Sequence, residues 1–433
     1  VGIQGVTVPL RDGMTVPTNN NFVAGDLDQL TGIKGNDSTK SIDTGLVGTD
    51  LTLNDASWSC NITVAGGYSN VDYLMGSGLN EIGAMNFLSV NGVNMEARMQ
   101  SQARTIIYTG SVLNKTGFLG VSRSSSAEFD WQFDSAGGTL TRASQAPQPT
   151  TSFDVFGASN FVDGDNRLAT YHVGPALNLA TLEGLQATLL SEVAAAKGAA
   201  AAANYFARLD TAGDTTYVPY KQPLTNYISS LVALGGAYWD DLESAASFVG
   251  VGIQGITVPL RDGMPTLTNN NFVAGDLNQL TGLKGDASTK YFGLNILGSV
   301  VEQDNASISV YITEADGAFG FHMGHQGNRL TLRNNPYVEL NGAAAAPTNG
   351  KPTSKIFGGS RTTSTDVDVR NNQVTSTISN TSLSPSASTM FLFARVTSAS
   401  SKARLATYHI GSALDLATLE GLQDTLITEI AAI

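Results

Sequence analysis

One cysteine, Cys60, stands in 433 residues, which excludes an internal disulfide framework. Stability must then come from core burial, which domains of this size supply. Charge is also scarce: Asp, Glu, Lys and Arg make up 14% of the chain. Lys and Arg number 24 against 37 Asp and Glu, a net charge of −13, so the basic stripe that nucleic acid requires is missing. No run of about 18 apolar residues occurs, which argues against membrane insertion. The Ala-rich stretch at 194–203 is too short and is interrupted by Lys197 and Gly198. Neither a signal peptide nor an initiator Met is present. What the chain does have is Gly (46 residues) and apolar residues (42%), too many for disorder. With abundant Ser, Thr and Asn, this composition serves strands and tight turns. A soluble, β-rich protein of two or three domains is expected.

A duplication organises the chain. Residues 1–40 and 251–290 are identical at 32 of 40 positions, and residues 167–196 and 404–433 at 22 of 30. The first pair is offset by 250 and the second by 237, so the interior of the first copy is 13 residues longer. Copies of this length indicate one domain each; a solenoid would repeat every 20–50 residues or so. The expected boundaries are a first β-sandwich at 1–177, a helical connector at 178–250, a second sandwich at 251–414 and a C-terminal helix at 415–433. Val251 follows the stretch YWDDLESAASFVG, and a segment equivalent to it is expected upstream of Val1.

Period-two alternation dominates inside the copies. Trp58, Cys60, Ile62 and Val64 alternate with Ser57, Ser59, Asn61 and Thr63; Phe129, Trp131 and Phe133 alternate with Glu128, Asp130 and Gln132. Ile308, Val310 and Ile312 repeat the pattern in the second copy. Each predicts a strand with one face in a core, and intervening turn signals fit an antiparallel sandwich. The period then switches to helical: Leu179, Leu182, Leu185, Leu189 and Val193 in one copy, Leu416, Leu419, Leu422, Leu426 and Ile430 in the other. Asn178 and Asp415 are placed to cap these helices. Their leucine stripes pack either on the sandwich or on a sister chain. In the connector, Leu224, Tyr227, Ile228 and Leu231 also read as helix.

The interiors align once more, GFLGVSRSSSAEFDWQF (117–133) with KIFGGSRTTSTDVDVRN (355–371), through Ser122 and Arg123 against Ser360 and Arg361. Val121, Arg123, the turn from Asp134 to Gly138 and the segment Tyr171 to Leu177 resemble the closing strands of laminin-G-like, concanavalin A-like domains. The tail RLATYHIGSALDLATLEGLQ resembles the C-terminal segment of virion structural proteins in tailed bacteriophages and prophages. TNNNFVAGDLNQLTGLKGDASTKY (268–291) is similar to the segment that opens those domains. The first copy departs from it at Asn36, Asp37 and Ser41, where the second has Asp286, Ala287 and Tyr291. The resemblance implies a virion component with lectin-like folds. The expected fold class is mainly β: two tandem concanavalin A-like or jelly-roll antiparallel β-sandwiches, each followed by an amphipathic helix.

Candidate chemistry is sparse. Glu128 and Asp130 fall on one strand face, as in an E-x-D-x-x-E strand that some glycosidases on this fold carry, and retaining hydrolysis needs two flanking carboxyls. Phe133 occupies the place of the second Glu, and the second copy, with Asp366 and Asp368, has Asn371 there. A solvated outer strand face is the competing reading. Asp163, Asp165 and Asn166 supply the oxygens Ca²⁺ prefers without a complete ligand set, and serve equally as turn residues. His322 and His325 are too few for zinc. His172 and His409 recur in a Tyr-His motif with no nucleophile assignable to either, which favours a structural contact. Trp58 and Trp131 lie on apolar strand faces and read as core, while Tyr238 and Trp239 are candidates for a binding or anchoring role. No phosphate loop or dinucleotide fingerprint occurs.

The sequence therefore points to a non-enzymatic structural component of a phage virion exterior: a fibre, spike or decoration protein. Its expected partners are other virion proteins, further copies of itself and a cell-surface glycan, with no resident cofactor beyond the Ca²⁺ option. The rival classes are a cell-surface adhesin or filament subunit, and a polysaccharide depolymerase.

Overall fold

The computed structural model describes residues 3–8, 13–36, 38–65, 71–77, 85–90, 94–101, 103–109, 115–146, 152–157, 165–234, 236–315, 320–325, 330–334, 337–346, 350–395 and 401–433. The chain divides into two compact units, Val1–Val193 and Ala194–Ile433.

The first unit is built from two seven-stranded antiparallel sheets. One runs in the order Thr18–Asn20, Ser41–Val47, Ser152–Val155, Val71–Ser77, Met85–Val90, Asn94–Met99, Thr105–Thr109. The other runs Ala136–Thr141, Glu128–Phe133, Gly117–Arg123, Ala56–Val64, Arg167–Gly174, Gly32–Lys34, Leu27–Asp28. Side chains that alternate along the strands meet between the sheets. Trp58, Cys60 and Ile62 pack with Met95, Ala97, Phe153 and Val155, and Trp58 meets Phe153 edge-on with ring centroids 5.7 Å apart. Burial of the Cys60 thiol pushes its pKa up to about 12, so it behaves as a small apolar side chain.

The second unit repeats this order strand for strand. Its sheets run Thr268–Asn270, Tyr291–Leu297, Thr389–Leu392, Phe321–Gly324, Leu330–Arg333, Tyr337–Leu340, and Val374–Ser379, Asp366–Asn371, Lys355–Arg361, Ala306–Glu314, Arg404–Gly411, Gly282–Lys284, Leu277–Asn278. Two differences stand out among the described residues. The second unit has no counterpart of Thr105–Thr109, and it gains a strand, Ser244–Ser247, which pairs with Arg404–Gly411. Equivalent strands are offset by 250 at Ala56 and Ala306 but by 238 at Gly117 and Lys355, so twelve of the extra residues lie between those points. The additional strand Thr105–Thr109 is in that span.

Repeated glycines mark close approaches. Gly32 (φ 92°) and Gly282 (φ 97°) sit so near the last strand that an added Cβ would stand 2.0 Å from the carbonyl oxygens of Leu168 and Leu405. Only glycine fits there.

Helix α1 (Leu179–Thr211) follows the first sandwich, and α2 (Lys221–Ala233) and α3 (Gly236–Asp240) come after it; α4 (Leu416–Ala431) ends the second. Asn178 and Asp415 cap as expected: their side chains accept from the amides of Thr181 (2.9 Å) and Ala417 (3.0 Å). The helices correct the reading of the central strands as half-exposed. Ser57 and Ser59, and their counterparts Ser307 and Ser309, are buried on the outer face, where Gln186 Nε2 donates to Ser59 Oγ at 3.2 Å. Each unit is thus a sandwich with a helix laid over one sheet. The segment expected as a connector holds α1, α2 and α3 and adds the strand Ser244–Ser247 to the second sandwich. Leu224, Tyr227, Ile228 and Leu231 of α2 are buried, as their spacing predicted.

Candidate functional site

Glu128 and Asp130 do share an exposed strand face. Their neighbours are hydroxyls and amides. Asp130 Oδ1 accepts from Thr139 Oγ1 at 2.6 Å, Asp368 from Thr377 at the same distance, and Asp366 from Ser379 Oγ at 3.1 Å. Gln132, the next residue on that face, donates to Glu183, while Phe133 is buried in the core. This is a solvated edge hairpin, repeated in both units, and the structure pairs neither carboxylate with an opposing one.

Asp163 lies outside the described residues. Asp165 is half-buried and Asn166 fully buried, and the carbonyl of Asn166 accepts from the Gly35 amide at 3.0 Å. In the second unit Ala403 accepts from Gly285 at 3.1 Å, the same bond without a ligand-type side chain. Among the described residues no three His, Cys, Asp or Glu side chains converge as a metal site. His322 and His325 are buried, and His322 Nδ1 lies 3.0 Å from Ser401 Oγ.

Tyr238 and Trp239, the candidates for a binding or anchoring role, are each 4% exposed and therefore interior. Tyr238 is a packing residue of a buried cluster: its hydroxyl lies 3.1 Å from His409 Nδ1 and the Tyr227 hydroxyl 2.7 Å from Nε2. Burial drives the His409 pKa down to about 3, so the ring is neutral. One ring nitrogen donates and the other accepts, which two tyrosine hydroxyls satisfy together. His172 is half-buried and its Nε2 lies 3.2 Å from Ser57 Oγ. The structural reading of both histidines holds.

One concavity lies outside the residues singled out from the sequence. An open cleft of about 670 Å³ in the second unit is lined by Thr216, Tyr220, Gln254, Asn278, Gln279 and Leu280, among others. Asn278 shapes it: its Oδ1 accepts from the amides of Leu280 (2.9 Å) and Thr281 (3.0 Å), a side-chain-closed turn. Gln279 is held from two sides. Its carbonyl accepts from the Gly250 amide at 2.8 Å, and its Oε1 from the Tyr220 hydroxyl at 3.3 Å. No acidic or basic side chain lines the cleft. It offers carboxamides, hydroxyls and one half-buried aromatic ring among aliphatic side chains such as Ile253, Leu277 and Leu280. Thr216 and Tyr220 come from the connector, far in sequence from the turn at 277–281, so spacing alone could not join them. The repeated NNNFVAGDL frame was the available signal.

No protein-family profile and no curated protein sequence matches the chain. Among solved structures, it is similar to a sialidase carbohydrate-binding module of Ruminococcus gnavus bound to sialyllactose, with 9% identity and TM-score 0.30 over 40% of this chain and 99% of that one. Domains LG4-5 of the mouse laminin alpha1 chain overlap 95% of this chain and 96% of their own, at 10% identity and TM-score 0.25. Tailspike protein 2 of the Escherichia coli O157:H7 bacteriophage CAB120 overlaps 41% of this chain and 28% of its own, at 10% identity and TM-score 0.28. At such scores the ligands and assemblies belong to those proteins, and the sandwich architecture of this chain rests on its own sheet order.

Proposed function

We propose that this protein is a non-catalytic, glycan-recognising component of the exterior of a tailed-phage particle, with the second unit as its binding module. The cleft at Tyr220 and Gln279 carries the recognition half of the reading. Sugars present hydroxyls and apolar ring faces, and a neutral site of carboxamides, hydroxyls and one tyrosine matches both. The resemblance of 404–423 and 268–291 to virion structural proteins supports the particle half, with other virion proteins and further copies as partners. Screening the purified chain on an array of bacterial surface glycans tests recognition. Binding to a defined neutral class, lost in Tyr220→Ala, is expected; an array without signal at millimolar glycan overturns it. Immunogold labelling of particles tests placement, and label confined to host cells overturns that half.

A further inference from the structure

The two units differ in what covers the last strand and the helix after it. In the second unit, Ser244–Ser247 runs antiparallel to Arg404–Gly411, and the carbonyls of Ala406 and Ile410 accept from the amides of Phe248 (2.7 Å) and Glu243 (2.9 Å). Helix α2 packs on α4, Asn226 Nδ2 donates to Glu429 at 3.0 Å, and Leu426 and Ile430 are 1% and 0% exposed. The Tyr227 and Tyr238 hydroxyls close on His409.

In the first unit the receiving side is all present. Arg167–Gly174 pairs with Ala56–Val64 on one side, but past Leu168 its other edge has no strand partner among the described residues. Ala169 and Val173, the counterparts of Ala406 and Ile410, present their outward backbone groups along that edge. Leu189 and Val193, the counterparts of Leu426 and Ile430, are 44% and 36% exposed. Glu192 stands where Glu429 takes its bond from Asn226.

We infer that this face of the first unit is a docking site for a helix–turn–strand segment of the chemistry of Lys221–Val249: an apolar helix face carrying tyrosine, then a strand of small residues. The first unit keeps the receiving residues almost unchanged, and the second shows what fills them. We commit to one occupant, a segment with the helix and small-residue strand of Lys221–Val249, because that segment is what fills the equivalent face of the second unit. Addition of its strand completes the sheet edge, and its helix covers Leu189 and Val193.

A synthetic peptide of residues 214–250 titrated into the full chain tests this, read by amide hydrogen exchange. Slower exchange at Tyr171 and Val173 is expected. Leu189→Asp, at an exposed position that leaves the fold intact, should weaken binding roughly tenfold or more, and a peptide carrying Ala246→Pro should lose the edge protection. If the free peptide does not dock, the same segment fused ahead of the chain must give the protection. Unprotected edge amides in both formats overturn the proposal. So does protection of this face by self-association without added segment, which would make the occupant a second copy.

Discussion

Arg123 and Arg361 illustrate how single residues hold this fold. Both are essentially buried, at 0% and 1% exposure, and among the described residues no carboxylate bonds either guanidinium. They bind carbonyls instead. Arg361 donates through Nε to Leu340 (3.0 Å) and through Nη1 to Asn380 (2.8 Å), as Arg123 does to Met99 (3.0 Å) and Ser125 (3.0 Å). Replacing Arg361 by Met leaves those carbonyls buried and unpaired, at a cost of about 3 kcal/mol. Urea unfolding of Arg361→Met checks this; a loss below about 1 kcal/mol would show that the carbonyls find other partners. His409 makes a second prediction. With its folded pKa near 3, the ring binds a proton more readily once unfolded, so the second unit loses stability as pH falls from about 6.5 toward 3. His409→Gln should flatten that slope, seen as a thermal midpoint that no longer drops across this range. Asp286 acts further down the scale. Burial opposes its ionisation, but the Thr289 hydroxyl and the amides of Ser288, Thr289 and Lys290 outweigh that and hold its pKa well below the usual range. Its stabilisation is lost only as pH falls below about 4; in the first unit Asn36, which does not titrate, accepts from the equivalent amides of Thr39 and Lys40.

At the scale of elements, helix entry is shared by both copies. Ser122 Oγ accepts from the Leu177 amide and Ser360 Oγ from the Leu414 amide, each at 3.0 Å, so the Ser-Arg pair at 122–123 and 360–361 ties a strand end to the segment that starts a helix. Asp415→Ala removes a cap from α4 and should destabilise the second unit by about 1 kcal/mol, measured by thermal unfolding. These elements were legible in the sequence because their signals are local. Alternation exposed the strand at Trp58, leucine spacing exposed α1 and α4, and Asn178 and Asp415 marked their starts. Burial of Ser57 and Ser59 was not legible, because a serine covered by a helix and one facing water read alike. Nor was the tie between Tyr238 and a histidine some 170 residues away in sequence. The strand at Ser244–Ser247 escaped notice because four small residues show no alternation.

At the scale of the whole molecule, the duplication does more than double a domain. Among the described residues, the same sandwich occurs with its last strand and helix covered in the second unit and uncovered in the first, and the covered one holds the Tyr220 cleft. Two cores of this kind predict two unfolding transitions by calorimetry, with the acid-sensitive one belonging to the second unit. The cleft was invisible in the sequence because it joins a connector helix to a turn of the repeat. The carboxylates at Glu128 and Asp130 were visible there, but Asp130 accepts from the Thr139 hydroxyl and both stand on an exposed strand face.

Comparing Tyr220→Ala and Glu128→Gln side by side in one assay against a bound bacterial polysaccharide tests the central claim most directly, with binding and chain length both recorded. The account predicts that Tyr220→Ala loses binding, that Glu128→Gln retains it, and that the polysaccharide keeps its length throughout. Shortening by the unaltered protein that Glu128→Gln abolishes would contradict it.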